Sequence, residues 1–140
     1  MGWRVLAALG LMLWSIGAHA LEITDVSGRG CGDGGPASDA AVGPAGLAWV
    51  SPRLLIADQR CYSIRGISGG GTIHRLAGTG VRGTLDGPLT IARLTPPADV
   101  TVGGDGLVYW TEWQNKRVRR IGSAGLVETV LTVPGAPHVA

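Results

Sequence analysis

The chain has 140 residues, 16% charged and 5% aromatic with no phenylalanine, and a formal net charge of +2. A balance this close to neutral excludes an electrostatic nucleic-acid binder, which carries a strongly basic face. Hydrophobic residues at 45% exclude a disordered chain, and 24 glycines and 8 prolines, spread without a collagen-like period, suit many turns between short strands.

Met1–Ala20 carries a positive Arg4, an apolar run from Val5 to Ile16, and the small-x-small sequence Ala18-His19-Ala20. That order predicts a signal peptide cleaved after Ala20. A membrane span needs about 20 apolar residues, whereas this run has about a dozen and Glu22 and Asp25 follow it at once. The expected product is secreted or periplasmic, with no membrane span after processing. Loss of Arg4 brings its charge near +1. An RNA-binding role is disfavoured by the same leader and the same balanced charge.

Beyond the leader the chain repeats itself. The first copy reads Gly32-Asp33-Gly34-Gly35-Pro36, then Gly43 to Val50, Leu54-Leu55-Ile56-Ala57-Asp58, Ser63-Ile64-Arg65-Gly66-Ile67, and Thr72 to Gly78. The second reads Leu85-Asp86-Gly87-Pro88, Thr95 to Val102, Val108-Tyr109-Trp110-Thr111-Glu112, Arg117-Val118-Arg119-Arg120-Ile121, and Leu126 to Leu131. Pro36 pairs with Pro88 at an offset of 52, and Asp58 with Glu112 at an offset of 54, because Gly103–Gly106 makes a longer turn than Ser51–Arg53. Four β-rich runs per copy, at a period near fifty, describe a propeller blade. A β-sandwich also uses short strands, but it gives no reason for the sequence to recur. Leu21–Gly30 matches Thr72–Gly80 and reads as the last strand of a preceding blade. The expected fold is all-β: a partial β-propeller of two four-stranded antiparallel blades plus one N-terminal strand.

The motifs DGGPA, LLIAD and IRGI, followed by a Gly-Thr-Ile strand ending in AGTG, resemble the NHL repeat; DGPL, VYWTEW, NKRVRRI and LVETVL follow in the same order. The resemblance covers roughly residues 22–131 and implies a six-bladed propeller, usually a binding scaffold, with some enzyme relatives such as the amidating lyases. Blades are expected over 21–131, the first repeat at about 32–80 and the second at about 84–131, with a tail at 132–140. Ala136–Ala140 resembles the start of another inner strand.

Two blades cannot close a ring, and an open pair leaves two apolar faces in water. A homo-oligomer, a partner propeller completing the ring, or a longer gene of which this is a fragment would each cover them.

Cys31 and Cys61 are the only cysteines. The connection into a blade's first strand and the loop between its second and third strands leave on one face, so an intrachain disulfide is expected, with free or intermolecular thiols as the alternative. Closing about 30 residues stabilises by roughly 3.5 kcal/mol in the chain-entropy model. Asp33, Asp86, Asp58 and Glu112 could form a calcium or substrate site, but their recurrence at equivalent places favours turn and strand-end hydrogen bonding. Arg65 and Arg119 match and read as scaffold. Lys116, Arg117, Arg119 and Arg120 form a basic cluster that alternation divides between two sides, favouring a solvated edge.

Trp110 and Trp113 bracket Glu112, with Gln114 and Asn115 following. Aromatics beside amides suit sugar or peptide contacts. With Arg60 and Tyr62 on the corresponding loop of the first repeat, Trp113 and Asn115 are the candidate ligand contacts for a protein or glycan partner. No nucleophile–base set, zinc-spaced cluster or phosphate-cradling loop stands out, so no catalytic residue, metal or cofactor is expected. The alternative is a fragment or subunit of a propeller enzyme of the lyase or lactonase type.

Overall fold

A computed structural model describes residues 30–134. The signal peptide at Met1–Ala20, the body of the strand at Leu21–Gly30 and the stub at Ala136–Ala140 lie outside the described residues.

The first repeat forms β1 (Pro44–Val50), β2 (Arg53–Asp58), β3 (Ser63–Ile67) and β4 (Ile73–Ala77), a meander in the order β1-β2-β3-β4. After a two-residue β5 (Gly87–Pro88), the second repeat forms β6 (Asp99–Val102), β7 (Val108–Glu112), β8 (Arg117–Ile121) and β9 (Leu126–Thr132). Its sheet order is β5-β9-β8-β7-β6, and every neighbouring pair in both sheets is antiparallel. The four β-rich runs of each copy are therefore its four strands. The short β-branched segments alternate between two faces, and Gly, Pro and Asp turns stop each one before it can lengthen.

Each copy's Asp-Gly turn folds back on its own outermost strand. In the second, Gly87 and Pro88 pair with Val127 and Leu126. In the first, Pro36 bridges Thr72, while the Gly34 N–H donates to Ile73 O and Ile73 N–H to Gly35 O. This return covers part of an edge that would otherwise offer unpaired donors and acceptors.

One core joins the two sheets. Leu55, Ala57, Ile64 and Ala77 of the first meet Val100, Trp110 and Val127 of the second, with Ala92 and Leu94 from the connecting segment filling the gap. The innermost strands approach closely at Gly46, where an added Cβ would lie 2.6 Å from Asp99 Cα and 3.1 Å from Val100 N. Only a residue without a side chain lets the two backbones sit that near.

Alternation along β1 sends Ala48 into this core and its neighbours to the opposite face, where Leu47 is 58% and Trp49 68% exposed. On the far face of the second sheet, Leu131 is 52% exposed and is paired across the ladder with Val118. Both outward faces thus carry apolar side chains in water. The β6–β7 hairpin turns at Gly103–Gly106, where Asp105 accepts hydrogen bonds from Tyr109 Oη (2.6 Å) and Leu107 N (3.0 Å). Those bonds, the tyrosine's first, hold the Asp105 carboxyl below its ordinary value.

Candidate functional site

The recurring acids and arginines are spent on each other. Arg65 is fully buried on β3; its Nε donates to Asp33 Oδ1, its Nη1 to Asp58 Oδ2 and Ala41 O, and its Nη2 to Cys31 O, over 2.7–2.9 Å. Arg119 repeats the arrangement on β8, donating to Asp86 Oδ1, Glu112 Oε1, Arg93 O and Leu85 O. Planar guanidinium suits this fork-like pairing, and no other cationic side chain could satisfy so many acceptors at fixed angles. A buried carboxylate needs such a partner, because desolvation without one is prohibitive.

The hydrogen-bonding reading of Asp33, Asp58, Asp86 and Glu112 therefore holds, as does the scaffold reading of Arg65 and Arg119. Arg119 corrects the view of its basic cluster as a solvated edge: it is wholly enclosed, and its guanidinium lies 5.9 Å from the Trp110 ring centroid. Arg120, on the opposite side of β8, meets Glu128 at 2.9 Å in a half-exposed pair. Sequence reasoning missed that each acid and its arginine form one unit. The signal was present, since Asp58 precedes Arg65 by the same seven residues that separate Glu112 from Arg119.

Directly beyond these clusters lie two equivalent tight loops, Gln59–Tyr62 between β2 and β3 and Trp113–Lys116 between β7 and β8. Each closes through a non-glycine residue in the left-handed region, Tyr62 at φ 44° and Lys116 at φ 47°. That conformation is uncommon for residues with a side chain, and its recurrence marks it as a property of the loop. The first loop is fixed by Asp58 Oδ1, which accepts from the N–H groups of Gly43, Arg60 and Cys61. Cys61 is bonded to Cys31 with the Cα atoms 6.3 Å apart, and both are fully buried. The intrachain disulfide is thus formed and ties the loop to the strand-entry segment.

The second loop has no cysteine. Asn115 stands where Cys61 stands in the first repeat, and its Nδ2 donates to Thr95 Oγ1 (3.2 Å), whose hydroxyl donates to Glu112 Oε2 (2.8 Å). One loop is therefore secured by a covalent bond and the other by a side-chain relay at the same place.

Between the loops is an open cleft of about 550 Å³. Gln59, Arg60 and Tyr62 line it from the first loop and Trp113 and Gln114 from the second, forming its two walls, and Gly43, Pro44 and Pro96 from the two strand entries complete the lining. Three of the candidate contacts, Arg60, Tyr62 and Trp113, come together here from successive repeats. Asn115 does not join them: it is 8% exposed and committed to Thr95, because the turn directs this position inward. Its neighbour Gln114 takes the lining place. Trp110 is buried at 1% exposure, with its Nε1 donating to Glu112 Oε1, while Trp113 is 64% exposed. The tandem tryptophans thus divide into one core residue and one surface residue.

Two stacked, equivalent antiparallel meanders with their innermost strands in contact define a pair of β-propeller blades. No family model matches the chain, and no curated protein matches it. Among solved structures it is similar to a structural genomics protein of unknown function from Bacteroides thetaiotaomicron, a propeller-like protein, at 25% identity and a TM-score of 0.55, covering 60% of this chain and 22% of that one. It is similar also to the virginiamycin B lyase of Staphylococcus aureus (20% identity, TM-score 0.49, 69% and 29% covered) and to a streptogramin B lyase (22%, 0.48, 66% and 27%). The chain spans less than a third of the length of each of these structures. At such distances the lyases lend no activity to this chain. The disulfide accords with an oxidising compartment.

Proposed function

We propose that this chain is an extracellular or periplasmic NHL-type binding module whose ligand, a glycan or protein, is held in the cleft between the two blade loops. The NHL name rests on the ordered motifs of the two repeats; export rests on the Met1–Ala20 pattern and on the disulfide. One observation carries the binding reading. Side chains of the types that anchor binding surfaces, an arginine, a tyrosine and an exposed tryptophan, converge on one concavity from equivalent loops whose backbones are independently fixed. A preformed site loses little entropy when a ligand arrives, and its volume falls within the roughly 300–1,000 Å³ of small-ligand sites.

The exposed Leu47 and Trp49 on one outward face and Leu131 on the other support the further reading that additional blades complete the ring, from further copies of this chain or a partner propeller. Light scattering on the purified full chain tests this part, and a stable monomer at high concentration refutes self-completion.

The binding reading is tested on an array of neutral and acidic glycans and extracellular proteins, probed with the full chain and with Trp113→Ala. Signals on at least one class that fall at least tenfold in the variant are expected. Signals that Trp113→Ala leaves intact would place the site elsewhere, and no signal on any class would refute the reading.

A further inference from the structure

The chemistry of the cleft narrows its ligand class. Charge comes first. Of its lining residues Arg60 is cationic and none is acidic. The nearest carboxylate along the chain, Asp58, is fully buried and neutralised by Arg65 at 2.9 Å. Among the described residues the Arg60 guanidinium has no carboxylate partner, so none of their acids competes with an arriving anion.

The second wall adds donors. Arg82 Nη2 donates to Gln114 Oε1 at 2.9 Å. A guanidinium can only donate, which fixes the amide with its oxygen toward Arg82 and leaves the NH2 group available to a ligand. Guanidinium and amide NH2 together form a donor-only pair, matched to an acceptor-only group such as a carboxylate.

Main-chain recognition is largely closed off. Pro44 and Pro96 have no N–H; that of Gly43 is spent on Asp58 Oδ1, that of Gln59 on Gly43 O, and that of Arg60 on Asp58 Oδ1. An extended peptide, which binds by adding to a strand edge, finds few partners here. What remains is side-chain recognition with an exposed indole at one wall and a phenol ring at the other. Such rings suit ligands that are flat, weakly apolar on one face and polar at the edges. A nucleic acid would offer bases to stack, but its phosphates require many cations, and this chain carries a net charge of only +2.

We infer that the cleft binds an acidic saccharide, a chain of uronate residues, with Arg60 and Gln114 on a sugar carboxylate and Trp113 and Tyr62 against sugar faces. The inference rests on the cleft being the binding site, and the test separates the two. Isothermal titration of the full chain with trigalacturonate is compared with its fully methyl-esterified form, which keeps the shape and loses the charge, and with cellotriose, a tetraglutamate peptide and a single-stranded RNA oligonucleotide. Binding of trigalacturonate is expected, at least tenfold tighter than the ester. Arg60→Gln should remove that difference, and Trp113→Ala should weaken both sugars by a similar factor. Both positions are exposed, so circular dichroism of the variants should match the parent.

Equal affinity for acid and ester overturns the anionic class and leaves a neutral-glycan cleft. Binding of tetraglutamate or RNA as tightly as trigalacturonate overturns the saccharide class. If none of the five binds while a Trp113-dependent array signal exists, the inference fails and the cleft reading stands. If no such array signal exists either, the cleft reading fails with it.

Discussion

Arg119 and Arg120 are neighbours on one strand, each facing an acid, and the structure predicts very different consequences for their loss. Arg119→Ala removes the paired cation from a fully enclosed Glu112 and from Asp86, and it leaves the carbonyls of Leu85 and Arg93 without this donor. Glu112 keeps the hydroxyl of Thr95 and the indole N–H of Trp110, but neither neutralises it. Breaking a buried pair from one side costs about 3–5 kcal/mol, a large part of the roughly 5–15 kcal/mol that holds a domain together. Arg120→Ala breaks a pair whose side chains are 35% and 41% exposed, where water replaces the lost partner, so its effect should be a small fraction of this. Urea unfolding of the full chain measures both as shifts in midpoint at constant slope. The cause is isolated by combining Arg119→Met with Glu112→Gln, which removes both charges while the new amide oxygen can still accept from the Trp110 indole; more than half of the lost stability should return. Equal midpoints for Arg119→Ala and Arg120→Ala, or a double variant no better than Arg119→Ala, would show that the uncompensated buried charge is not what matters.

The remaining predictions address other layers of the molecule. Replacing Cys31 and Cys61 together with alanine reopens a loop spanning 30 residues and should cost roughly 3.5 kcal/mol in urea; an unchanged unfolding midpoint would mean that the bridge does not stabilise the fold. Gly46→Ala drives a methyl into the backbone of Asp99, which cannot rotate away, so it should destabilise the contact between blades by about 1–3 kcal/mol. Gly104→Ala, with open space around it, is the matched control, and equal losses for the two would refute the close-approach argument. For Asp105, the folded carboxyl lies below its ordinary value of 3.8, so its hydrogen bonds support the fold above that pH and are lost as pH falls through the depressed value. The small stability gap between the parent and Asp105→Asn should therefore be constant near neutrality and close in acid, followed by urea midpoints at a series of pH values; a gap that widens in acid would reverse the sign of the argument.

The fold was largely legible in the sequence because the repeat supplied each strand twice. A single run such as Ser63–Ile67 fits several all-β arrangements, but the same run recurring as Arg117–Ile121 in the same order fits a blade. Burial of arginine was harder to read. Arg119 lies between Val118 and Arg120 in a strand that looks solvated, and its acidic partners stand seven and thirty-three residues away in the sequence. Ion-pair units of this kind are set by cross-strand geometry, which composition does not report. The cleft was partly legible: residue type and loop position point to Arg60, Tyr62 and Trp113, whereas the choice between Gln114 and Asn115 depends on which side of a tight turn each faces. That choice, too, is recoverable from the alignment of the two copies. A disulfide draws Cys61 inward, and Asn115 is its equivalent 54 residues on, so the inward position belongs to Asn115 and the outward one to Gln114. In a repeat protein, a residue whose chemistry reveals its environment in one copy assigns the environment of its counterpart in the other.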